Sequence, residues 1–423
     1  MERVSVEEFR TSGLGVVRPV ADTERVPLAE AVGRVAAEDV VASVPLPSFR
    51  RSAVDGYALR AADAAQALRV VGKITAGHPA PRALKPGEAY AITTGAPVPD
   101  GADAVTLVEE TEQTGDWVRT RERVEPGLHV SPVGEDFRLG QPLVRRDRVL
   151  TSVDVAALAS QGRETVAVWR RPRVAIVSTG DELRPLGTTL GPGEVYDVNG
   201  AALEAMVRAA GCEPIRLGTW PDRYEVVREG MAAAAARTDW DVMVTSGGTG
   251  ASVPLFQGVD VKTLHDLVPA VLAEVGRLIH HGVRMIPGRP TALGLLDDRP
   301  VFALPGWPYA VLIHFEIMVL PALRRMAHLP PARRPALPAR LAAPVSGTEG
   351  FTRIIQVRLD QESAGGLTAE PLLPPPPPSA SRVMTQMLEA DGYIVLEGPV
   401  RWEKGQPVTV WVDPARMREG WIQ

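Results

Sequence analysis

Apolar runs that end abruptly in small and polar residues mark the strands of this chain. The run Val174–Val177 breaks at once into Ser-Thr-Gly and then Asp181-Glu182, and the same pattern recurs over Asp241–Gly250. Short unbroken apolar runs are typical of buried parallel strands, and ligands in open α/β sheets bind at the carboxyl ends of such strands. The pattern therefore predicts a binding site in the two loops that follow these strands.

Helical patterns separate the two strands. One helix is predicted over Asn199–Gly211, with an Asn cap and a Gly stop, and another from Asp222 towards Arg237, with a short strand at Pro214–Thr219 between them. This order makes two βαβ crossovers. The Gly247–Gly250 loop suits an anion such as phosphate. Glycine-rich strand ends occur in many α/β folds, so an anion site and an ordinary turn remain alternatives here.

The region before this α/β segment has a different pattern. Short β-like runs separated by Gly and Pro predict an all-β insertion, whereas the flanks Val26–Val41 and Pro142–Trp169 are expected to form one domain around it. The predicted strands of the insertion are Leu68–Ile74, Ala89–Thr94, Ala104–Glu109 and Trp117–Arg121.

Beyond the glycine loop the α/β pattern continues and then gives way to a β-rich tail. Leu329–Pro338 is rich in proline and is predicted to be a linker. Pro374–Pro378 is predicted to be a loop or a polyproline II spacer. The remaining predicted elements are a helix at Val268–Leu278, strands at Thr291–Leu296 and Val301–Leu304, a helix to Ala327, and strands at Arg353–Leu359, Gly392–Leu396 and Pro407–Val412.

Composition narrows the class of protein. The 423 residues, with 45% hydrophobic and 23% charged, predict a globular chain of about three domains. A net charge of −5 gives no basic surface for nucleic acid or an anionic membrane. The acidic start of the chain does not resemble a signal peptide, and Pro305 and Pro308 interrupt the longest apolar segment, so we expect a cytoplasmic protein without a membrane span.

Cysteine and histidine usage excludes several kinds of site. The single cysteine, Cys212, excludes an internal disulfide and a cysteine-based zinc cluster, and it is predicted to be a small buried packing residue. The seven histidines show no metal-binding spacing. His280 and His281 are adjacent and are predicted to be surface or turn residues.

Several short motifs follow one another along the chain. They are Ser52–Ala58, Ile92–Val105, Gly134–Phe137, Ser178–Leu183, Asp197–Asn199, Ser246–Gly248 and Leu304–Gly306. In this order they resemble the MoeA/gephyrin-E family, whose members insert molybdenum into molybdopterin. The resemblance spans nearly the whole chain and implies an elongated homodimer. It also implies four parts: a hinge domain of residues 1–44 and 139–170, an inserted β domain of 45–138, an α/β molybdopterin-binding domain of 171–329, and a small C-terminal β-barrel of 330–423.

The resemblance also implies a reaction and a site. The substrates are molybdate and adenylated molybdopterin, with Mg²⁺ assisting and AMP released, and other cofactor-biosynthesis proteins are possible partners. Asp55, Asp136 and Glu182 match the acidic catalytic positions, with Glu182 and Asp55 as metal ligands. The substrate-binding positions are Thr94, Thr179, Gly180, Asp181, Asn199, Ser246, Gly247, Gly248, Thr249, Pro287, Arg289, Pro305, Gly306, Arg353 and Ser381.

Individual residues also have ordinary structural explanations. Asp55 with Gly56 fits a turn, Glu182 fits a helix-starting acid, and Arg353 and Ser381 could each be surface residues.

Three motifs depart from the family pattern. The glycine loop continues as Thr-Gly-Ala-Ser and loses an acidic residue, which the distant Asp260 does not replace. A lysine is replaced by Ile286, and two polar positions are occupied by Trp307 and Ala310. The sequence therefore leaves two hypotheses. One is a working molybdenum insertase with a variant pocket, and the other is a weakly catalytic or non-catalytic paralogue that binds the pterin nucleotide or a protein partner.

Overall fold

A computed structural model describes residues 2–250, 266–362, 365–372 and 383–418. The chain forms two compact units. One is Glu24–Val168, and the other combines Met1–Thr23 with Trp169–Gln423. The finer division into four domains stays a prediction.

The chain begins with helix α1 (Val6–Val16), which belongs to the larger unit. The Ser5 hydroxyl accepts a hydrogen bond from the Glu8 backbone N–H at 3.1 Å and so caps the start of the helix. Phe9 projects from α1 into the hydrophobic core and is fully buried there. Burial of this aromatic ring ties the amino-terminal helix to the larger unit.

The smaller unit is built mainly from strands. Its largest sheet has the order β7-β4-β6-β5-β9-β8 and confirms the predicted all-β region. Helix α2 (Ser152–Ser160) is closed by a capping box between Thr151 and Asp154. The strands are β1 (Thr23–Pro27), β2 (Val40–Val41), β3 (Arg51–Ser52), β4 (Gly56–Leu59), β5 (Leu68–Ile74), β6 (Glu88–Ile92), β7 (Ala104–Leu107), β8 (Thr111–Thr114), β9 (Trp117–Thr120), β10 (Val130–Ser131), β11 (Pro142–Val144) and β12 (Thr165–Trp169).

The α/β part of the larger unit contains a six-stranded sheet of order β16-β13-β17-β21-β20-β18. The pairs β13·β16, β13·β17 and β17·β21 are parallel, as the two crossovers predicted. The elements are β13 (Arg173–Thr179), β14 (Leu183–Arg184), β15 (Val195–Tyr196), α3 (Val198–Ala209), β16 (Glu213–Trp220), α4 (Tyr224–Ala235), β17 (Val242–Ser246), α5 (Leu267–Val275), β18 (Arg277–His281), β19 (Met285–Ile286), β20 (Ala292–Leu296), β21 (Arg299–Leu304), α6 (Pro308–His314), a π-helix (Phe315–Val319) and α7 (Leu320–Met326).

The carboxyl-terminal part forms the predicted β-barrel. Strands β24, β25, β22, β28 and β26 pair in turn, and β26 pairs back onto β24 to close the ring. Strand β19 adds to β24 from the α/β part. The elements are β22 (Ala336–Leu341), β23 (Val345–Ser346), β24 (Thr352–Gln361), β25 (Leu367–Pro371), α8 (Val383–Glu389), β26 (Gly392–Glu397), β27 (Arg401–Trp402) and β28 (Pro407–Val412).

Four short 3₁₀ turns complete the described structure. Three of them lie between strands, and the fourth follows β28. They are Leu28–Glu30, Ala61–Asp63, Val108–Glu110 and Pro414–Arg416. Among the described residues, no helix is both long and apolar enough to cross a membrane.

Three local predictions are wrong. Helix α3 begins at Val198, so it is capped by the Asp197 side chain, which accepts the Gly200 N–H at 2.9 Å, and not by Asn199, which lies inside the helix. Helix α5 ends at Val275, because Gly276 lies against the Leu295 carbonyl where a side chain would not fit. The following residues, including His280 and His281, form the half-buried strand β18 instead of a turn.

Cys212 is buried as predicted, and burial raises its pKa to about 12.

The cap of α3 also carries a buried ion pair. Arg216 donates to Asp197 Oδ2 at 2.5 Å, and the Ser178 hydroxyl donates to Asp197 Oδ1 at 2.8 Å. Burial opposes ionisation of this carboxyl, but the hydrogen bonds from Arg216, Gly200 and Ser178 outweigh it and hold the pKa of Asp197 below its usual value. The network fixes the start of α3 beside the end of β13.

We expect Asp197→Asn to lower the free energy of unfolding by about 1–3 kcal/mol at pH 7, because the Arg216 charge loses its partner. The stabilisation by an Asp with a lowered pKa is complete above the unfolded value of about 4 and is lost as pH falls below it. Stability of the variant should therefore fall less steeply in acid. Urea unfolding at several pH values measures both effects. The control Glu204→Gln, which removes an exposed helix ion pair with Arg208, should cost less than about 0.5 kcal/mol; equal losses in the two variants would contradict the prediction.

Candidate active site

Three parallel strands of the larger unit end side by side. Ser178 of β13 is in register with Ser246 of β17, and Ser246 is in register with Leu304 of β21. Chain order reverses between β13 and β17, and such a switch point opens a crevice at the strand ends. The predicted residues that follow each strand are therefore neighbours at one edge of the sheet.

The glycine loop after β17 is packed against the end of β13. Gly247 and Gly248 have φ angles of 90° and 60°, and a Cβ atom on either would approach Thr179 Oγ1 to 2.8 or 2.7 Å. Both the backbone conformation and the close approach therefore require glycine. The Gly247 N–H donates to the Leu304 carbonyl at 3.1 Å, so this N–H holds the loop in place and is not available to a phosphate.

Buried hydroxyl groups without partners lie at the same strand ends. Among the described residues, the hydroxyls of Thr179, Thr245 and Ser246 are buried and have no hydrogen-bond partner. Thr179 and Ser246 are only 4% and 1% exposed. Leaving a buried hydroxyl unpaired costs about 1–3 kcal/mol, so these groups indicate a place where a bound ligand completes the hydrogen bonding.

Carboxylates and an amide surround this point. The Glu182 side chain folds back over Gly180, where a Cβ atom would lie 2.7 Å from Glu182 Oε2. Asp181 Oδ1 accepts the Asp222 N–H at 3.1 Å, and the Asn199 amide donates to the Gly306 carbonyl at 2.7 Å. The structure thus brings the predicted residues of β13, α3 and the loop after β21 together.

A cavity of about 840 Å³ opens beside these residues. Gly180, Asp181 and Asp197 line it on the side of β13, and Arg184 and Arg216 supply positive charge. Its size is that of a small-molecule site. Arg216 was not predicted as a site residue, because a single arginine in a strand pattern carries no signal of its own.

The loop Pro287–Pro290 forms a second part of the site. The preceding strand β19 pairs with β24 of the barrel, with Ile286 opposite Arg353. Arg289 is exposed, and its guanidinium carbon lies 4.9 Å from the centre of the Phe351 ring. Two of the predicted arginines therefore lie around one short loop, an arrangement suited to an oxyanion.

Helix α6 joins the two parts of the site. It begins at Pro308, directly after the Gly306-Trp307 turn, and the Tyr309 hydroxyl donates to the Ile354 carbonyl at 3.4 Å. Burial raises the pKa of Tyr309, and the nearby Arg353 charge opposes the rise. The far end of α6 is His314, which contacts the loop Pro287–Pro290. His314 was not predicted as a site residue, although a histidine inside an apolar helix was itself a signal.

The remaining predicted residues belong to the smaller unit or lie outside the described residues. Asp55 Oδ1 accepts hydrogen bonds from the Thr94 N–H at 2.7 Å and from its hydroxyl at 3.2 Å, so these two residues form a pair. Asp136 is exposed. Ser381 and Asp260 are not among the described residues. Within the described part of the chain, no three His, Cys, Asp or Glu residues are grouped to hold a metal ion.

Comparison with known proteins covers the chain from end to end. Family models described as the MoeA N-terminal region (domain I and II), a probable molybdopterin binding domain and the MoeA C-terminal region (domain IV) match residues 4–162, 175–325 and 338–412. Molybdopterin molybdenumtransferase 2 of Mycobacterium tuberculosis is 33% identical over 97% of this chain and 98% of its own length. The molybdopterin molybdenumtransferase of Bacillus subtilis is 31% identical over 92% of this chain and 89% of its own length.

A solved structure agrees with these sequence matches. The molybdopterin biosynthesis MoeA protein of Pyrococcus horikoshii superimposes with a TM-score of 0.79 at 31% identity, over 97% of this chain and 99% of that one. Sequence, domain order and fold agree along nearly the whole length, and the strand-end loops carry the motifs that first suggested the relationship. The chain belongs to the MoeA family.

Proposed function

We propose that this protein is a molybdopterin molybdenumtransferase, which inserts molybdate into adenylated molybdopterin with Mg²⁺ and releases AMP. The observation that carries the proposal is the presence of two subsites that helix α6 connects. The helix begins directly after the Gly306-Trp307 turn at the strand ends, where buried hydroxyls have no partner, and its last residue, His314, contacts the loop that carries Arg289. One protein can then bind both a pterin nucleotide and an oxyanion. The relatives' name, molybdopterin molybdenumtransferase, states the pterin and the transferred metal for those proteins.

The strand-end subsite suits the pterin nucleotide. The Thr179 and Ser246 hydroxyls and the N–H groups after Gly247 are short, fixed donors close to backbone, which fits a phosphate oxygen. Thr249, whose hydroxyl donates to the Leu304 carbonyl at 3.3 Å, closes the loop, and Asn199 holds the Gly306 turn beside it. In this proposal Gly180, Asp181 and Pro305 line the same subsite.

The strand-end carboxylates fit a hard divalent cation. Asp181 and Glu182 are exposed carboxylates next to the hydroxyl of Thr179, and Mg²⁺ prefers oxygen ligands while keeping several waters. When bound, Mg²⁺ would neutralise charge on the pyrophosphate link. We assign Glu182 as its ligand in the larger unit. Asp55, held by Thr94, is the ligand that the family resemblance assigns in the smaller unit, and Asp136 is the third acidic residue.

The loop subsite suits molybdate, a compact dianion. Arg289 and Arg353 supply positive charge at the Pro287–Pro290 loop and at the strand that pairs with its preceding residue. In this proposal Pro287 and Gly306 line the same subsite. Arginine presents several N–H donors in a fixed plane, so it binds tetrahedral oxyanions well. Ser381 is the further hydroxyl that the resemblance assigns here.

A weakly catalytic nucleotide-binding paralogue is the second candidate function. It is favoured by the three replaced polar groups, since Ile286 is half-buried in β19, Ala310 is buried, and the Trp307 side chain is 64% exposed.

Purified protein incubated with adenylated molybdopterin, molybdate and Mg²⁺ should form molybdenum cofactor and AMP. Nucleotide binding without cofactor formation would favour the paralogue.

Glu182→Gln should reduce Mg²⁺-dependent turnover by about 100-fold or more, because it removes the charge that holds the cation and keeps the volume. The side chain is exposed, so the free energy of unfolding should change by less than about 0.5 kcal/mol. Cofactor formation and thermal unfolding are measured in parallel. Glu225→Gln, an exposed acid paired with Arg228 on α4, is the control and should turn over normally. Normal turnover in Glu182→Gln would refute the assignment.

Ile286→Lys should raise the affinity for molybdate by about tenfold, because it adds a charged donor opposite Arg353. The affinity for AMP should be nearly unchanged, since the strand-end subsite is untouched. Calorimetric titration with each ligand decides this. Val153→Lys adds the same charge to an exposed position of the smaller unit and should alter neither affinity. Equal molybdate affinity in the parent and Ile286→Lys would mean that other groups already replace the lost cation.

We also propose a homodimer. The smaller unit exposes apolar side chains on two segments joined by a bridge between Leu46 and Phe137, and contiguous exposed apolar surface marks interaction sites. These side chains are Val44, Phe49, Val133 and Leu139, which are 43 to 71% exposed. Light scattering at micromolar concentration should give twice the chain mass of 45.3 kDa. A monomer mass would contradict the proposal.

A cytoplasmic location and further protein partners stay predictions.

A further inference from the structure

His314 is a completely buried histidine that the proposed reaction does not use directly. It lies at the last position of α6, and its ring contacts the loop that carries Arg289. His314 Nε2 lies 2.7 Å from the Pro287 carbonyl oxygen, and Nδ1 lies 2.6 Å from the Thr291 hydroxyl. Both partners belong to the loop or to its first residue after Pro290, so both ring nitrogens are committed to this one segment.

The partners fix the protonation state of the ring. A carbonyl oxygen only accepts, so Nε2 carries a proton and donates to Pro287. In a neutral ring Nδ1 then accepts, and the Thr291 hydroxyl donates to it. Complete burial keeps the ring neutral, since it lowers the pKa of His314 to about 4. The imidazole therefore bridges two groups of opposite hydrogen-bonding type.

The loop is shaped to receive the ring. Gly288 has a φ of 98°, and a Cβ atom there would overlap His314 Nε2. Only glycine lets the ring reach the Pro287 carbonyl. The same Thr291 hydroxyl also donates to the Gly288 carbonyl at 3.0 Å, so its single proton is shared between this carbonyl and His314 Nδ1.

The helix is also adapted at this point. The π-helix Phe315–Val319 begins at the residue after His314, and such wide turns are frequent at functional sites. Phe315 is 1% exposed in the core cluster that includes Val311. The wider turn thus follows directly on a histidine that faces the loop, while the next side chain fills the core.

We propose that His314 is a positioning residue for oxyanion capture, which fixes the Pro287–Pro290 loop, and with it Arg289, against helix α6. The proposal rests on the proposed function. Arg289 stands between Gly288 and Pro290 on a short loop, and its guanidinium otherwise rests on the Phe351 ring. A displacement of the binding side chain by about 1 Å at such a site lowers the affinity for the ligand substantially. His314 therefore acts through the loop and does not touch the oxyanion.

The test compares variants that keep or remove the two ring hydrogen bonds. His314→Phe keeps an aromatic ring and loses both bonds, whereas the amide of His314→Gln can donate to Pro287 and accept from Thr291. His328→Phe is the control, because His328 is a half-buried histidine away from the loop that stacks on Trp169 and bonds to the Val20 carbonyl at 2.8 Å. KM for molybdate, kcat, the Kd for AMP and the melting temperature are measured for each protein.

We expect His314→Phe to raise KM for molybdate by about tenfold, with the Kd for AMP within about twofold of the parent. His314→Gln should recover most of the loss, and His328→Phe should leave KM for molybdate unchanged. An unchanged KM in His314→Phe would overturn the inference. So would parallel losses of molybdate and AMP affinity, because a purely structural histidine would affect both subsites.

Two further measurements keep the inference open to refutation. If His314→Phe does not fold, Thr291→Val removes the hydroxyl partner with nearly the same shape and should raise KM for molybdate by about threefold; no change would overturn the inference. Molybdate binding by calorimetry separates this result from failure of the proposed function. A parent protein that binds molybdate but forms no cofactor refutes the function, and the Kd for molybdate then tests His314 in the same variants.

Discussion

The parallel register of β13, β17 and β21 is the constraint on which the rest of the site depends. Because Ser178, Ser246 and Leu304 are aligned across three strands, the loops that follow all begin at the same level along the strand direction, at one edge of the sheet. The contacts among the loops are then short. Gly247 bonds to Leu304 and packs on Thr179, and Asn199 reaches Gly306. A shift of one residue in any strand would separate these groups by about 3.3 Å.

Much of this arrangement was predictable from local pattern. Unbroken apolar runs identified β13, β17 and β21, and the small residues after them identified the loops, because both signals are contained in a few neighbouring residues. Three of the five barrel strands, β24, β26 and β28, were predicted from short β-like runs. Strand β22, which begins inside the predicted linker Leu329–Pro338, and strand β25 were not. The family resemblance supplied the residues of the oxyanion loop, which no periodicity would have identified.

The parts that the sequence did not predict depend on contacts between distant residues. Asp197 replaced Asn199 as the helix cap because Arg216, on another strand, stabilises the carboxylate there. The segment after Gly276 became a strand because β20 offered it a partner. His314 gained its role from Pro287 and Thr291, which lie more than twenty positions earlier in the chain. In none of these three cases does the sequence of the local segment indicate which distant residue it will contact.

The pairing of β19 with β24 has a consequence for how the protein is made. Ile286 lies opposite Arg353, so the strand that leads into the oxyanion loop is completed only by residues near the carboxyl-terminal end of the chain. During synthesis the strand ends of the α/β part can assemble early, whereas this loop has no partner strand until the ribosome has passed β24. We therefore expect a nascent chain to order its strand-end loops first and the Pro287–Pro290 loop last, so that the proposed oxyanion subsite is complete only once the barrel exists.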